Sequence, residues 1–240
     1  MNAIEVLGVK VNNMPKKDIL DQARCFLCGK EMKRIVTVNP EFVLEAQENQ
    51  DFLEAINKAD LNVADGIGIN LALWKAGKIP QSRMTGADLI WDVLEIADRK
   101  KLRVFLVANR AGMSNWRDVR NEIRKKYPFL KIDGMNLGVR SRFSSIRNNR
   151  KLLSSHVLFC NFGAPHQELF INSLNDESNI RLAMGVGGSF DFISGKIRRA
   201  PKWMRFVGLE WLWRLFVQPR RIKRILKAVI VFPIKIILNK

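Results

Sequence analysis

The chain has 240 residues, and its 41 Lys and Arg against 23 Asp and Glu give a formal net charge of +18. Hydrophobic residues make up 47% of the sequence, which is enough for a buried core and excludes a disordered chain. Charges interrupt the first twenty residues, and no uncharged apolar stretch reaches about 18 residues, so we expect neither a signal peptide nor an ordinary transmembrane helix. Without a secretory signal, the three cysteines are expected to be reduced thiols in the cytoplasm.

Residues 1–195 alternate between short apolar, β-branched runs and helical patterns. The runs predict strands at Ile35–Val38, Leu61–Ala64, Val104–Ala108, Val157–Phe162 and Leu182–Val186, with a further strand at Val6–Val11. Apolar residues at helical spacing predict helices at Glu41–Lys58, Gly68–Ala76, Ala87–Lys100, Ser114–Lys126 and Gln167–Leu174. Strands that alternate with helices indicate a Rossmann-like α/β domain, in which an open parallel sheet carries helices on both faces.

Glycine and polar residues follow directly after each predicted strand. These segments begin at Asn39, Asp65, Asn109, Gly163 and Gly187. In a parallel sheet all of them emerge at the carboxyl edge, where ligands of such folds bind. Local structure often explains these residues as well as a ligand site does. Asn39 before Pro40, for example, is also a favourable helix N-cap. Asp65 ends a strand and precedes two glycines and a helix, so it faces the cleft, either as a base or as a cap.

The glycine-rich loops are candidate cradles for a diphosphate, because backbone N–H groups and a helix N-terminus favour phosphate oxygens. The candidates are Gly187-Gly188 and Asn109–Gly112. Neither fits the G-x-G-x-x-G fingerprint and no Walker lysine motif occurs, which argues against an NAD enzyme or an NTPase. The sequence also lacks the D-x-D triplet by which nucleotide-sugar enzymes usually hold a divalent metal. Cys25 and Cys28 lack the second pair of a zinc site, so no metal is expected.

The last 45 residues, 196–240, carry thirteen Lys and Arg and one acid, a net charge of +12. Aromatic and aliphatic side chains accompany these bases, and this mixture suits an anionic membrane surface better than a nucleic-acid groove. After Pro219, apolar residues recur at steps of three and four from Ile222 to Pro233, which predicts an amphipathic helix with a basic face. The alternative is a C-terminal helix that docks on the core. We therefore expect a catalytic domain over 1–195 and a basic, aromatic appendage over 196–240.

A set of short segments forms a specific combination, although each segment alone is a weak signal. They are Thr37–Pro40, Ala64–Gly68, Arg83–Leu89, Gly163–Glu168, Gly185–Asp191, and Arg199–Pro201 with Gly208–Trp211. Through nearly the whole chain and in the same order, they resemble glycosyltransferase family 26. This family contains the teichoic-acid linkage-unit N-acetylmannosaminyltransferases and the enterobacterial-common-antigen mannosaminuronyltransferases. One departure is His166, where many relatives carry Lys.

The resemblance implies an inverting, metal-independent enzyme without a cofactor, located peripherally on the inner face of the cell membrane. It would move N-acetylmannosamine from UDP-ManNAc to the 4-hydroxyl of GlcNAc on undecaprenyl diphosphate, and Asp65 would be the general base. The other implied site residues are Thr37, Asn39, Arg83 and Gln167 for the sugars, and Asn109, Gly187, Gly188 and Asp191 for UDP. Guanidinium groups match phosphate oxygens, so the candidates for the lipid diphosphate are Arg214, Arg221 and Arg224.

Alternatives to this reading remain open. The three arginines could serve general attraction to lipid instead of binding a diphosphate. The same fold could transfer mannosaminuronic acid or another hexose, such as glucose, from a UDP-sugar to a lipid-linked acceptor for an exopolysaccharide. A more distant alternative is a nucleic-acid-binding protein that uses its basic tail, although we expect no nucleic-acid partner. The sequence also leaves open whether the chain forms a homo-oligomer.

Overall fold

The computed structural model describes residues 3–141, 146, 148–174 and 178–238. Within these residues, eight strands form one sheet in the order β1-β2-β4-β3-β8-β7-β5-β6. The strands are β1 (Ala3–Val6), β2 (Val9–Asn12), β3 (Lys33–Val38), β4 (Leu61–Ala64), β5 (Arg103–Asn109), β6 (Lys131–Leu137), β7 (Val157–Cys160) and β8 (Leu182–Gly185). β1 and β2 are antiparallel and every other neighbouring pair is parallel. The predicted open, largely parallel α/β sheet is confirmed.

Helices cover both faces of this sheet, as the sequence predicts. They are α1 (Lys16–Cys28), α2 (Pro40–Glu48), α3 (Gln50–Asn57), α4 (Ile67–Lys75), α5 (Gly86–Arg99), α6 (Trp116–Lys126), α7 (Arg150–Leu153), α8 (His166–Asn172) and α9 (Ser189–Ile193). Strand β5 shows why both faces need a cover, because its side chains point alternately up and down. Leu106 packs in a buried cluster with α1, α5 and α6, whereas Phe105 and Val107 pack in another cluster with α7 and α8. A third cluster joins α2, α3 and α4 to the β1–β4 end.

Two predicted elements at the N-terminal end are wrong in detail. The single strand expected at Val6–Val11 is a hairpin, because Leu7 and Gly8 both adopt positive φ, 48° and 81°, and reverse the chain between β1 and β2. The single helix expected at Glu41–Lys58 is α2 followed by α3. Asn49 interrupts it with an extended backbone, and its side chain accepts a hydrogen bond from the first turn of α3.

Other differences concern strands and helices away from the expected core runs. Within residues 1–195 the sequence analysis did not identify α1, α7, α9 or β6. It also extended β7 to Phe162, whereas the strand ends at Cys160. β6 forms an edge of the sheet and pairs only with β5 among the described strands. Most residues of its sequence, KIDGMNL, are only half-buried. An edge strand with polar residues lacks the continuous apolar run by which the central strands were recognised.

The point where the chain changes direction across the sheet lies between β3 and β8. From β3 the chain continues to β4 on one side, whereas β8 arrives from β7 on the other side. The helix after β3, α2, belongs to one face of the sheet, and the helix after β8, α9, belongs to the opposite face. Loops that diverge in this way open a crevice at the carboxyl ends of the two strands, and ligands of open α/β sheets bind in such crevices.

The appendage packs across the carboxyl edge of the sheet. It contains α10 (Lys202–Phe206), α11 (Glu210–Val217), a 3₁₀ turn (Pro219–Arg221), α12 (Ile222–Leu226), a π-helical turn (Lys227–Val231) and α13 (Phe232–Leu238). Pro219 separates α11 from the following helical run, as predicted. Phe232 is only 1% exposed and packs in the core cluster of α2 and α4, so α13 docks on the body. Ile222, Leu226 and Ile230 remain exposed, which divides the predicted apolar face between core and surface.

Candidate active site

A cavity of about 570 Å³ lies between the carboxyl ends of the central strands and the appendage. The loops after β3, β4, β5, β7 and β8 form its walls, together with residues of α11, α12 and the π-helical turn. Every site residue named from the sequence lines this one cavity: Thr37, Asn39, Asp65, Arg83, Asn109, Gln167, Gly187, Gly188, Asp191, Arg214, Arg221 and Arg224. The topology explains this convergence, because the carboxyl ends of parallel strands meet at one edge.

Asp65 follows β4 directly and lines the cavity. Its backbone N–H donates to the carbonyl of Val38 at 2.7 Å, which joins the ends of β4 and β3. Gly66 follows with φ of 92° and is itself the N-cap of α4, without a side-chain capping bond. The alternative that Asp65 caps the helix after it is therefore wrong. Its carboxyl group lines the cavity and accepts from the backbone N–H of Gly86, at the start of α5.

The surroundings of Asp65 favour its neutral form. Burial raises the pKa of its carboxyl group to about 7, and the nearby carboxylate of Glu210 adds to the rise. Arg214, the backbone N–H of Gly86 and Arg83 act in the opposite direction. A carboxyl group whose pKa lies near neutrality can take up a proton during a reaction and release it again, as a general base must.

Three further polar side chains line the cavity together with Asp65. Thr37 is the penultimate residue of β3 and is buried, with its hydroxyl so close to Gly86 that a Cβ there would lie 3.1 Å from Oγ1. Asn39 Oδ1 accepts from the backbone N–H of Phe42 at 3.1 Å and caps α2, so the amide nitrogen is the group it can offer to a ligand. Arg83 Nη2 donates to a backbone carbonyl in α10, which fixes the guanidinium group between body and appendage.

Gln167 holds two loops of the cavity together. Its Oε1 accepts from the backbone N–H groups of Gly163 and Gly187, both at 3.0 Å, and its Nε2 donates to Glu168 Oε1 at 2.6 Å. Gln167 and Glu168 are 3% and 5% exposed. A Cβ on Gly185 would lie 2.4 Å from Gln167 Nε2, so only glycine fits beside this pair. Contact of Gln167 with a sugar stays a prediction, while its contact with the loops is direct.

Glu168 has an environment that disfavours charge. Burial raises the pKa of its carboxyl group to about 8, although the hydrogen bond from Gln167 lowers it. Its second oxygen, Oε2, has no hydrogen-bond partner among the described residues. The buried carboxyl group therefore serves chiefly to orient the Gln167 amide, which points its oxygen at both loops.

The wall after β5 and β8 carries the residues expected to bind UDP. The backbone N–H of Asn109 donates to Asn161 Oδ1 at 2.6 Å, and Asn109 Oδ1 accepts from the N–H of Ala111 at 3.0 Å. Asp191 is buried, and its Oδ1 accepts from the hydroxyl of Ser114 at 2.7 Å. These bonds fix the side chains before any ligand enters, which lowers the entropic cost of binding.

Three arginines of the appendage face the cavity. Arg221 reaches the glycine loop, since a Cβ on Gly188 would lie 3.7 Å from its Nη2. Burial lowers the pKa of Arg221, and the positive charges of Arg214 and Arg224 lower it further. Arg224 Nε donates to Glu41 Oε2 at 2.8 Å. Although Arg224 pairs with Glu41, three guanidinium groups close to one glycine loop favour an anion, and a diphosphate matches their donor groups.

Residues 4–240 match the family model described as the glycosyl transferase WecG/TagA/CpsF family. The chain belongs to this family. The match includes the appendage, so the residues that close the cavity lie within the matched part of the chain. The resemblance drawn from the short segments is confirmed.

Curated relatives of this WecG/TagA/CpsF protein carry one enzyme name, N-acetylglucosaminyldiphosphoundecaprenol N-acetyl-beta-D-mannosaminyltransferase. The relative from Bacillus subtilis (strain 168) is 33% identical over 192 residues, which cover 80% of this chain and 74% of the relative. The relative from Staphylococcus aureus (strain MRSA252) is 28% identical over 237 residues, covering 97% and 91%. That from Staphylococcus aureus (strain NCTC 8325 / PS 47) is 29% identical over the same length and coverage of the chain.

Several cavity residues had no role in the sequence analysis. Glu210, Asn161 and Glu41 line the cavity of this WecG/TagA/CpsF protein beside the expected groups. For Glu210 a signal was available, because it is the one acid in an otherwise basic appendage of 45 residues. Asn161 follows a predicted strand residue and was counted within the strand. Glu41 was considered only as part of a helix, because its ion pair with Arg224 is a tertiary contact that no local pattern shows.

Among the residues that the structure describes, no group of three or more His, Cys, Asp and Glu side chains is arranged to hold a metal ion. No helix within the described part of the chain is long and apolar enough to cross a bilayer.

Proposed function

We propose that this chain transfers N-acetylmannosamine from UDP-ManNAc to GlcNAc-diphospho-undecaprenol, with a β-1,4 linkage, in teichoic-acid linkage-unit synthesis. The enzyme name of the relatives supports the substrates. The observation that carries the chemistry is the position of Asp65, a carboxyl group with a pKa of about 7 at the wall of a cavity lined by polar and cationic groups.

The reaction is a single displacement at the anomeric carbon. The acceptor C4 hydroxyl gives its proton to the Asp65 carboxylate while its oxygen forms the new bond to C1. The bond from C1 to the diphosphate breaks, and UDP departs with the electron pair, so the configuration at C1 inverts. The side chains of Thr37, Asn39 and Arg83 line the same cavity as Asp65 and would hold the two sugars in line.

The departing UDP needs positive charge or N–H donors. The loop Gly187-Gly188 offers backbone N–H groups, and Arg221 lies beside it. This combination supports stabilisation of the leaving group by the protein's own groups and without a metal ion. Arg214 and Arg224 line the same cavity and would bind the diphosphate of the lipid acceptor.

The acceptor is a lipid, and the appendage has the features of a peripheral membrane-binding element. It combines a net charge of +12 with exposed Trp203, Phe206, Phe216 and Ile237. Basic and apolar side chains together bind anionic bilayers. We place the enzyme on the inner face of the cell membrane, where UDP-sugars and the lipid acceptor meet. The nucleic-acid alternative loses support, because the chain belongs to a glycosyl transferase family and its arginines face the cavity.

The test is transfer of radiolabelled sugar to lipid-linked GlcNAc from a panel of UDP-sugars, with and without excess EDTA. We expect UDP-ManNAc to give the fastest transfer and EDTA to leave its rate unchanged. Faster transfer of mannosaminuronic acid or another hexose would replace the proposed donor. A loss in EDTA that magnesium or manganese restores would contradict metal independence.

A further inference from the structure

A chain of charged side chains joins the N-terminus of α5 to the cavity. Arg199 donates to both carboxylate oxygens of Asp88, at 2.6 and 2.8 Å, and to the hydroxyl of Thr85 at 3.0 Å. Its Nε donates to Glu210 Oε1 at 3.4 Å. The same oxygen of Glu210 lies 3.7 Å from Arg214 Nη2. Charge therefore alternates from the body to the cavity wall, in the order Asp88, Arg199, Glu210 and Arg214.

Glu210 occupies the centre of this chain and is well shielded, with a side-chain exposure of 14%. It is the one acid in residues 196–240, and it begins α11, where a carboxylate suits the helix N-terminus. Arg214 is one turn further along the same helix. A carboxylate between two arginines is fixed by both, so it fixes both in turn.

We propose that Glu210 is a positioning residue for the transfer reaction, holding Arg214 at the cavity wall and supplying the negative charge that faces Asp65. The inference rests on the proposed function, because it gives Glu210 a role in the same site. It reaches further in one respect: the body would orient an appendage arginine through Asp88 and Arg199.

The charged groups that act on Asp65 predict how its pKa changes when Glu210 is neutralised. Glu210 raises the pKa of Asp65, whereas Arg214 and Arg83 lower it, and the contribution of Glu210 exceeds that of Arg214. Neutralising Glu210 therefore lowers the pKa of Asp65 even if Arg214 moves away at the same time. A residue with only a structural role in α11 would leave the ionisation of Asp65 unchanged.

The experiment compares wild type with Glu210→Gln, Glu210→Asp and the control Glu95→Gln, which breaks an exposed ion pair with Arg99 on α5. The pH dependence of kcat/KM is measured with UDP-ManNAc and a soluble, short-chain lipid-linked acceptor. For Glu210→Gln we expect the acid limb to move down by roughly 0.5–1 pH unit and the plateau to fall by about tenfold to a hundredfold. Glu210→Asp, which keeps the charge, should leave the acid limb within about 0.2 unit of wild type.

A double-mutant cycle separates action through Arg214 from an independent effect. At a pH where Asp65 is ionised, Glu210→Gln should cost less than about threefold in an Arg214→Gln background. Fully additive losses would overturn the positioning role.

A second readout needs no turnover. The titration of the Asp65 carboxyl carbon is followed by NMR in the full-length chain, with the signal assigned by its absence in Asp65→Asn. We expect its midpoint to fall in Glu210→Gln and to stay in place in Glu95→Gln. An unchanged midpoint in Glu210→Gln would overturn the inference. If no UDP-sugar were transferred at all, the proposed function would fail, and this titration would still decide the role of Glu210.

Discussion

At the scale of single residues, the proposed function depends on the position of one carboxyl group, that of Asp65. Asp65 is placed by the end of β4, held by a backbone bond to β3, and surrounded by both body and appendage. Its raised pKa has a catalytic meaning only if the ionised form is the one that takes the acceptor proton. Transfer should then rise with pH through about 7.

Asp65→Asn should reduce transfer by about 10²- to 10⁴-fold, because the amide has nearly the same size but cannot accept the hydroxyl proton. The matched control is Asp51→Asn, on the exposed first turn of α3, which should keep the wild-type rate. Rates are measured with UDP-ManNAc across pH, and circular dichroism checks the fold. A wild-type rate for Asp65→Asn in a folded protein would refute the base assignment.

Glu168 links the stability of the protein to pH. Its pKa is about 8 in the folded protein against 4.5 for a free glutamate, so the folded state binds the proton more tightly than the unfolded state. The stabilisation is complete below pH 4.5 and is lost as pH rises through about 8. Glu168→Gln imitates the protonated form and keeps an oxygen for the Gln167 amide.

Between pH 5 and pH 8.5 the free energy of unfolding of wild type should therefore fall more than that of Glu168→Gln, by on the order of a few kcal/mol. Urea denaturation at the two pH values measures the difference. Asp65 titrates in both proteins, so its contribution cancels, and Glu95→Gln should behave as wild type. Parallel curves for wild type and Glu168→Gln would show that Glu168 is ionised in the folded state across this range.

The patterns of the sequence located the site residues that follow strands, and the family resemblance together with charge added Arg83 and the three appendage arginines. The residues that were missed, such as Glu210, take their place in the site through tertiary contacts. Asp65 and Gly187 follow apolar runs, and parallel topology then requires them to converge. The chain from Asp88 through Arg199 to Glu210 joins α5 to α11, and no local pattern encodes such a contact. Asn161 was hidden because its strand ends one residue before it, and strand ends are poorly marked in a buried run.

At the scale of elements, local sequence signals explain which strands were predicted and which were missed. The central strands β4 and β8 are buried on both faces and read as continuous apolar runs, so their bounds were predicted almost to the residue. The hairpin of β1 and β2 was missed because its reversal uses Leu7, a residue type that rarely adopts positive φ. Its sequence gives no turn signal before Gly8.

The helical run after Pro219 separates two kinds of basic residue. Arg221 is half-buried beside Gly188, whereas Lys223 is exposed. Arg221→Ala should lower kcat/KM for a soluble, short-chain acceptor by about a hundredfold, since a half-buried cation that would meet the diphosphate is lost. Lys223→Ala should keep that rate and weaken sedimentation with anionic vesicles by a few fold, because one basic residue near such a surface contributes about 1 kcal/mol. Equal effects of the two changes on both measurements would refute this division.

At the scale of the whole molecule, exposed apolar surface is shared between body and appendage. Ile67, Leu71 and Trp74 recur at helical spacing on α4 and remain exposed, although all belong to the body. Lys75 at the end of α4 donates to the carbonyl of Ile237 in α13 at 3.0 Å, which joins the two helices. Deleting the appendage would remove the buried Phe232 from the core, so surface substitutions test membrane binding more cleanly than truncation.

A triple change, Ile230→Ser, Ile234→Ser and Ile237→Ser, removes exposed apolar side chains without touching the cavity or the core. Vesicle binding should weaken by at least about tenfold, because each buried isoleucine contributes roughly 1.5–3 kcal/mol. Transfer to the soluble acceptor should stay within about twofold of wild type. Undiminished sedimentation with anionic vesicles would move the membrane contact away from the C-terminal helix.

The central position of β8 also governs how the protein can fold. On one side of it lie the strands of the first 64 residues, and on the other lie β7, β5 and β6, which come later in the chain. Each group can form from contacts that are closer in sequence, but the two groups are joined only when Leu182–Gly185 pairs with both β3 and β7. That pairing closes a very long loop, so it is expected to be slow and late. Catalytic competence therefore arises at the final step of refolding, after most of the secondary structure has formed.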